Sequence, residues 1–194
     1  MESRRVLSSP LDSSSLRGLR AGDVFYVTGL VLTARDKAHE RLVLEKKPLP
    51  VDARGLAVMH AGPVVVERGG SLACLSLGPT TSARFENLIP EFVETTGAKL
   101  VIGKGGVSRR VSEALRELGA VYAVYPGGCG ALGALAVEEV LGSYWADLGP
   151  AETVWLLRVR SLGPLIAATD LAGGNLVEDV LDSARASRRL ARRG

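Results

Sequence analysis

Apolar runs of strand length alternate along this chain with segments whose apolar residues recur at helical spacing, and almost every junction carries glycine. That alternation predicts an α/β fold: a single compact domain with a mixed sheet and flanking helices. "AKLVIG" reads as a buried strand, "GKGG" as a turn, and "SRRVSEALRELG" as a helix. Val107, Val111, Leu115 and Leu118 fall on one face of that helix and Gly119 is its stop. "AVYAVYPGG" followed by "ALGALAVEEVLG" repeats the strand, turn and helix. Earlier, "GDVFYVTGLVLTARD" reads as two short strands broken at Thr28–Gly29, with Thr33 to Asp36 as a capping box before the helix "KAHERLVLEKK". "GLAVMHAGPVVV" and "SLACLSLG" are further strands, and "TVWLLRVRSLGPLIAATD" closes the pattern with strands joined at Gly163–Pro164.

At 194 residues, 46% of them hydrophobic, the chain is long enough to bury one real core. A polar lead-in (1–20) and a basic tail (184–194) flank a body at 21–183. The net charge of +3 is set by the tail: its five arginines in "RASRRLARRG" leave the rest at −2, so nothing in the body suits nucleic acid, and the tail reads as a solvated terminus. Few aromatics argue against base stacking. Neither a signal-type apolar segment nor a run near 18 apolar residues is present, which predicts a soluble, cytoplasmic protein without membrane contact. Two cysteines, Cys74 and Cys129, fit a reducing compartment.

In "SLGPTTSARFENLIPEF", Phe85, Leu88, Ile89, Phe92 and Val93 recur at i, i+3, i+4, i+7 and i+8, which predicts a helix with a polar run at its N-terminus. Free N–H groups, hydroxyls and an arginine there suit an anion. The same design, a strand, a turn, a cation and a helix, occurs at Arg35, Arg84 and Lys104. Loops leaving the carboxyl ends of strands gather at one sheet edge, so these cations can converge on one small dianion, a dicarboxylate or a phosphate ester. Taken singly, each arginine reads as a surface charge paired with a local acid such as Asp36 or Glu86.

Other motifs compete. Gly128, Gly130 and Gly133 satisfy G-x-G-x-x-G, a nucleotide-binding pattern, but Pro126 interrupts its strand junction. "GKGG" lacks the framing residues of a Walker loop. His39 and His60 have no companions at metal-ligand spacing and read as core or capping residues. Cys129 reads as small and buried.

Taken in order, "GLVLTARDKAHERL", "HAGPVV", "GPTTSARFENLIPEF", "KLVIGKGG", "AVYPGGCGAL" and "WLLRVRSLGPLIAATDLAGGNL" resemble the β subunit, or C-terminal domain, of class I iron–sulfur fumarate hydratases and L-tartrate dehydratases. The resemblance implies a swivelling β/β/α domain. It also implies a 4Fe-4S cluster held by a separate α subunit in an αβ or α2β2 heteromer, with none bound by this chain. A cluster takes three or four thiolates and this chain has two. The family's substrate-binding positions carry over to Arg35, Thr80, Arg84 and Lys104. Thr81 and His39 also match motif positions, with Thr81 joining the binding set and Thr80 and Lys104 taking the catalytic part. The implied reaction is reversible hydration of fumarate to L-malate, or alternatively dehydration of L-tartrate, with an open iron of the partner's cluster as Lewis acid.

Overall fold

The structure, a computed structural model, describes residues 4–191. In chain order its elements are β1 (Val6–Ser9), α1 (Ser13–Leu16), β2 (Val24–Thr33), α2 (Asp36–Val43), β3 (Ala57–Met59), β4 (Val64–Arg68), β5 (Ser71–Ser76), α3 (Ile89–Thr96), β6 (Leu100–Gly103), α4 (Arg109–Glu117), β7 (Val121–Val124), α5 (Gly130–Leu135), β8 (Val137–Tyr144), β9 (Val154–Ala167) and α6 (Leu176–Ala191). Seven strands form one mixed sheet in the order β1-β2-β3-β6-β7-β9-β8, and β4 and β5 form a separate hairpin. β1, β2, β3, β6 and β7 run parallel. β9 is antiparallel to β7 and β8 and also pairs with β2 from Val24↔Ile166 to Leu32↔Leu156. Through that second pairing the sheet closes on itself.

Closure splits the core in two, as the pleat requires. Ala57 and Met59 of β3, Leu100 and Ile102 of β6, and Val121 and Ala123 of β7 point inside the closed sheet with Phe25, Val31, Leu157 and Leu165. The alternate residues Val58, Val101 and Tyr122 point outward, under α2, α3 and α4, and meet Leu42, Phe92, Val93, Val111 and Leu115. Each such side chain, fully buried, contributes roughly 1.5–3 kcal/mol relative to exposure.

Several local expectations change. The segment read as two strands broken at Thr28–Gly29 is the single strand β2, with register shifts against β9 on either side of Val27. Gly29 has φ +105°, and a Cβ there would stand 2.1 Å from the Ser9 carbonyl oxygen, so glycine marks a close approach of β1 rather than a break. Thr33 is not a helix cap, because it is still in β2 and its hydroxyl accepts from the Trp155 N–H at 3.0 Å. Arg35 is the N-cap of α2 and makes no side-chain cap. Residues 137–142, read as the second half of a helix, belong instead to β8, and 154–167 form one strand through Gly163–Pro164. Four residues of the polar lead-in form β1 within the sheet, and the basic tail continues α6 to Ala191; Arg192 and Arg193 lie outside the described residues. Among the described residues no helix is long and apolar enough to cross a membrane.

Candidate functional site

β2, β3, β6 and β7 end side by side at Thr33, Met59, Gly103 and Val124, so the loops carrying Arg35, His60, Lys104 and Gly127 leave the same edge of the sheet. Thr80, Thr81 and Arg84 reach that edge by another route. β5 belongs to the hairpin, and the chain after it returns to the sheet, where Ala61 bridges Pro79 and Thr81 bridges Lys104. The Thr80 N–H donates to the His60 carbonyl at 2.6 Å, the Lys104 N–H to the Thr80 carbonyl at 3.1 Å, and the Ser82 N–H to the Lys104 carbonyl at 3.3 Å. Main-chain bonds therefore hold the threonine loop against the lysine loop.

No α-helix begins at this polar run. Ser82–Arg84 and Glu86–Leu88 are two short 3-10 turns, and α3 starts only at Ile89 with Pro90 in its first turn. Phe85, Leu88, Ile89, Phe92 and Val93 are all buried, as their spacing demands. A 3-10 turn also puts i and i+3 on one face, so its pattern passes for helix. The run's hydroxyls and arginine consequently work through side chains rather than as a helix terminus.

Arg84 forks onto Asp36, with Nε at 3.1 Å from one carboxylate oxygen and a terminal nitrogen at 2.9 Å from the other. That terminal nitrogen also donates to Thr80 Oγ1 at 3.0 Å. Burial alone pushes the Asp36 carboxyl up, but the fork and the charges of Arg84 and Arg35 outweigh it and hold the group below the usual carboxylate range. Arg35 lies 3.8 Å from Asp36 and 3.3 Å from Glu152, and donates to the Ala151 carbonyl at 3.3 Å. Its Nε is buried without a hydrogen-bond partner. Lys104 is exposed and forms no ion pair among the described residues; its stem runs past Gly127, where a Cβ would come within 3.1 Å of Cδ.

The structure thus brings Arg35, Thr80, Thr81, Arg84 and Lys104 together, but not as three free cations. Asp36 and Glu152 offset two of them, which leaves about one net positive charge and a threonine oxygen already polarised by a guanidinium. Asp36 lay within a quoted motif but only as a local pairing partner. Glu152 carried no signal, because its approach to Arg35 depends on how the loop before β9 packs. Replacing Arg84 by lysine keeps the charge and loses the planar fork. The expected result is a fall of about 10- to 100-fold in kcat/KM, the equivalent of one or two charge-assisted hydrogen bonds, with an unchanged circular-dichroism spectrum; kinetics within threefold of wild type would show the fork to be dispensable.

The rival motifs resolve into packing. Gly130 and Gly133 lie in the six-residue α5, and their missing side chains admit Ser76 Oγ and the Leu77 carbonyl, to which a Cβ would come within 2.5 and 2.2 Å. Cys74 and Cys129 both pack against the interior of the closed sheet, and burial pushes the Cys74 thiol up. Among the described residues no group of three or more His, Cys, Asp or Glu side chains is placed to hold a metal ion, and two thiols do not complete a 4Fe-4S ligand set.

A closed mixed sheet with a cationic edge built from loops defines an α/β domain whose charged rim lies open to a ligand or a second chain. The chain belongs to the Fumarase C-terminus family, whose model matches residues 2–180. It is 42% identical over 176 residues to a protein of Escherichia coli K12 named "L(+)-tartrate dehydratase subunit beta", covering 91% of this chain and 88% of the relative. It is 38% identical over 174 residues to a Methanocaldococcus jannaschii protein named "Putative L(+)-tartrate dehydratase subunit beta", covering 88% and 89%. A Geobacillus stearothermophilus protein named "Putative fumarate hydratase class I" is 34% identical over 180 residues, which span 91% of this chain but 34% of that longer protein. Both kinds of relative are hydro-lyases, and this chain is a hydro-lyase β-type chain.

Proposed function

We propose that this chain is the β subunit of a two-subunit cytoplasmic hydro-lyase acting on a four-carbon dicarboxylate, with the iron–sulfur cluster held by the partner. The observation that carries the proposal is the placement of Thr80. Its Oγ1 accepts from Arg84, which Asp36 holds from behind, while its carbonyl is bonded to the backbone of Lys104. Accepting from a guanidinium leaves the hydroxyl's own proton free to move and stabilises the oxygen when that proton departs. In dehydration a proton leaves the carbon next to a carboxylate, a carbon–carbon double bond forms, and water is lost. Negative charge grows on that carboxylate, and Lys104 with the remaining terminal nitrogen of Arg84 is the part of the rim not already engaged with Asp36, Thr80, Ala151 or Glu152; stabilisation that increases toward the transition state is what accelerates the step. Thr80 passes its proton to a carboxylate of the partner, since a threonine alone is a poor base.

Fumarate hydration is the first of the two reactions that the sequence resemblance implies, and the motifs are common to both. Dehydration of L-tartrate is favoured by the higher identity to separate β subunits bearing that name. The deciding experiment is anaerobic purification of the chain together with its partner, followed by assay with L-tartrate, L-malate and fumarate. A brown complex that eliminates water from one of these hydroxy acids, beside an inactive isolated chain, is expected. Turnover by the isolated chain, or a complex inert to all three, would overturn the proposal.

A further inference from the structure

Arg35 and Asp36 open α2, and α2 is too short to hold its own shape. It has eight residues, fewer than the roughly 12–15 that an isolated helix needs. Arg35 is its N-cap yet makes no side-chain cap bond, so the N–H groups of the first turn must find acceptors elsewhere. Ala38, His39, Leu42 and Val43 bury the inner face of the helix. The connection from β8 to β9 fastens both of its ends. At the far end Arg41 forks onto Asp147, its terminal nitrogens 2.9 and 2.7 Å from the two carboxylate oxygens, and lies over the Trp145 ring at 5.5 Å. At the near end Glu152, 16% exposed, accepts from the Lys37 N–H with one oxygen at 3.0 Å and places the other 3.3 Å from a terminal nitrogen of Arg35. The Ala151 carbonyl accepts from the other terminal nitrogen of Arg35 at 3.3 Å.

The loop that offers these acceptors is itself braced. The Glu152 and Thr153 N–H groups both donate to the Gly149 carbonyl, at 3.0 and 2.9 Å, and the Thr153 hydroxyl donates to it at 2.9 Å. Gly62 lets the loop come close: a Cβ there would stand 2.5 Å from the Ala151 carbonyl oxygen and 3.0 Å from the Arg35 nitrogen bonded to it. A carboxylate on a first-turn N–H also meets the positive end of the helix. Offsetting the charge of Arg35 requires only nearness. Glu152 does more, because its second oxygen is bonded to the main chain of the helix that carries Arg35 and Asp36. We infer that Glu152 is a positioning residue of the rim, its two oxygens fixing Arg35 and, through the first turn of α2, Asp36.

The catalytic consequence rests on the hydro-lyase reading given above. Asp36 forks onto Arg84 at 3.1 and 2.9 Å, and Arg84 donates to Thr80 Oγ1 at 3.0 Å. A continuous line of contacts thus runs from Glu152 through the first turn of α2 to the hydroxyl placed to move the proton. Displacing Glu152 lets that turn shift, and Asp36, Arg84 and Thr80 shift with it.

The test compares two variants of the assembled enzyme with wild type. Glu152→Gln keeps the shape but has a single acceptor oxygen, so it can serve Lys37 or Arg35 and not both; it also adds one positive charge to the rim. The expected result is a fall in kcat of about 10- to 100-fold, the range of a misplaced group, with no fall in KM. A counter-charge alone predicts the reverse, tighter binding of dicarboxylates at unchanged kcat. A kcat within about threefold of wild type, whatever the KM, would overturn the inference. Gly62→Ala changes no charge and pushes the Ala151 carbonyl, with Glu152 beside it, away from Arg35. Its kcat is expected to fall over the same range, and activity within about threefold of wild type would again overturn the inference. In the 15N-labelled full chain, hydrogen exchange at the Lys37 amide is expected to be about tenfold faster in Glu152→Ala than in wild type, with the amides of β6 and β7 unchanged. An unchanged Lys37 rate would overturn the inference without reference to activity. A wild-type complex inert to every dicarboxylate would remove the hydro-lyase reading instead, and the Lys37 rates would then decide by themselves whether Glu152 fixes the first turn of α2.

Discussion

Thr80→Val is expected to lower kcat by about 100- to 10,000-fold, the range of a lost proton-transfer group, while the complex assembles as before. Valine keeps the branched shape and discards the hydroxyl. It also leaves the Arg84 nitrogen that donates to Oγ1 without that acceptor. Thr80→Ser restores the oxygen with a looser rotamer, so it is expected to recover much of the rate. The contrast between the two variants, read in steady-state kinetics on the assembled enzyme, separates chemistry from packing. Equal activities of Val and Ser variants would assign Thr80 a shape role only.

Lys104→Met is expected to reduce kcat/KM by about 100- to 1,000-fold, the loss typical of one preorganised donor at a developing charge. The two bonds that tie this residue to the threonine loop are main-chain ones, from its N–H to the Thr80 carbonyl and from Ser82 N–H to its own carbonyl. Substitution leaves them intact. Thermal stability should therefore stay near wild type while activity collapses. A parallel loss of Tm and kcat/KM would mean that the lysine stem along Gly127 serves packing instead.

Legibility in the sequence followed locality. β6, β7 and α4 were readable because each is a short buried run or a clean helical face ended by glycine; Gly119, in the left-handed region at φ +65°, stops α4 as expected. β8 was not. Val137, Val140 and Leu141 fall at i, i+3 and i+4, a helical signature, but register shifts against β9 at Val137/Glu139 and Val140/Gly142 break the strand's alternation, and pairing with a long neighbour overrides the local pattern. Arg35, Arg84 and Lys104 were visible as a recurring design. The acids that face the two arginines were less so, and the buried hydrogen bond of the Tyr122 hydroxyl to Ser82 was not, because residues 40 apart in the chain meet only after two elements have packed.

β9 is the one strand that touches β2, β7 and β8, and its partners in β2 were made long before it. On a ribosome, every cation of the charged rim emerges ahead of the strand that closes the sheet. Until Val154–Ala167 is threaded between β2 and β7, Thr33 has no Trp155 amide to bind, and Glu152, just ahead of that strand, has nothing to hold it against Arg35. Contacts of such long sequence separation form late. The ion pair of Arg35 with Glu152 is accordingly the last contact of the rim to form during synthesis, whereas the fork of Arg84 onto Asp36 and the main-chain bond between Lys104 and Thr80 need no residue of β9.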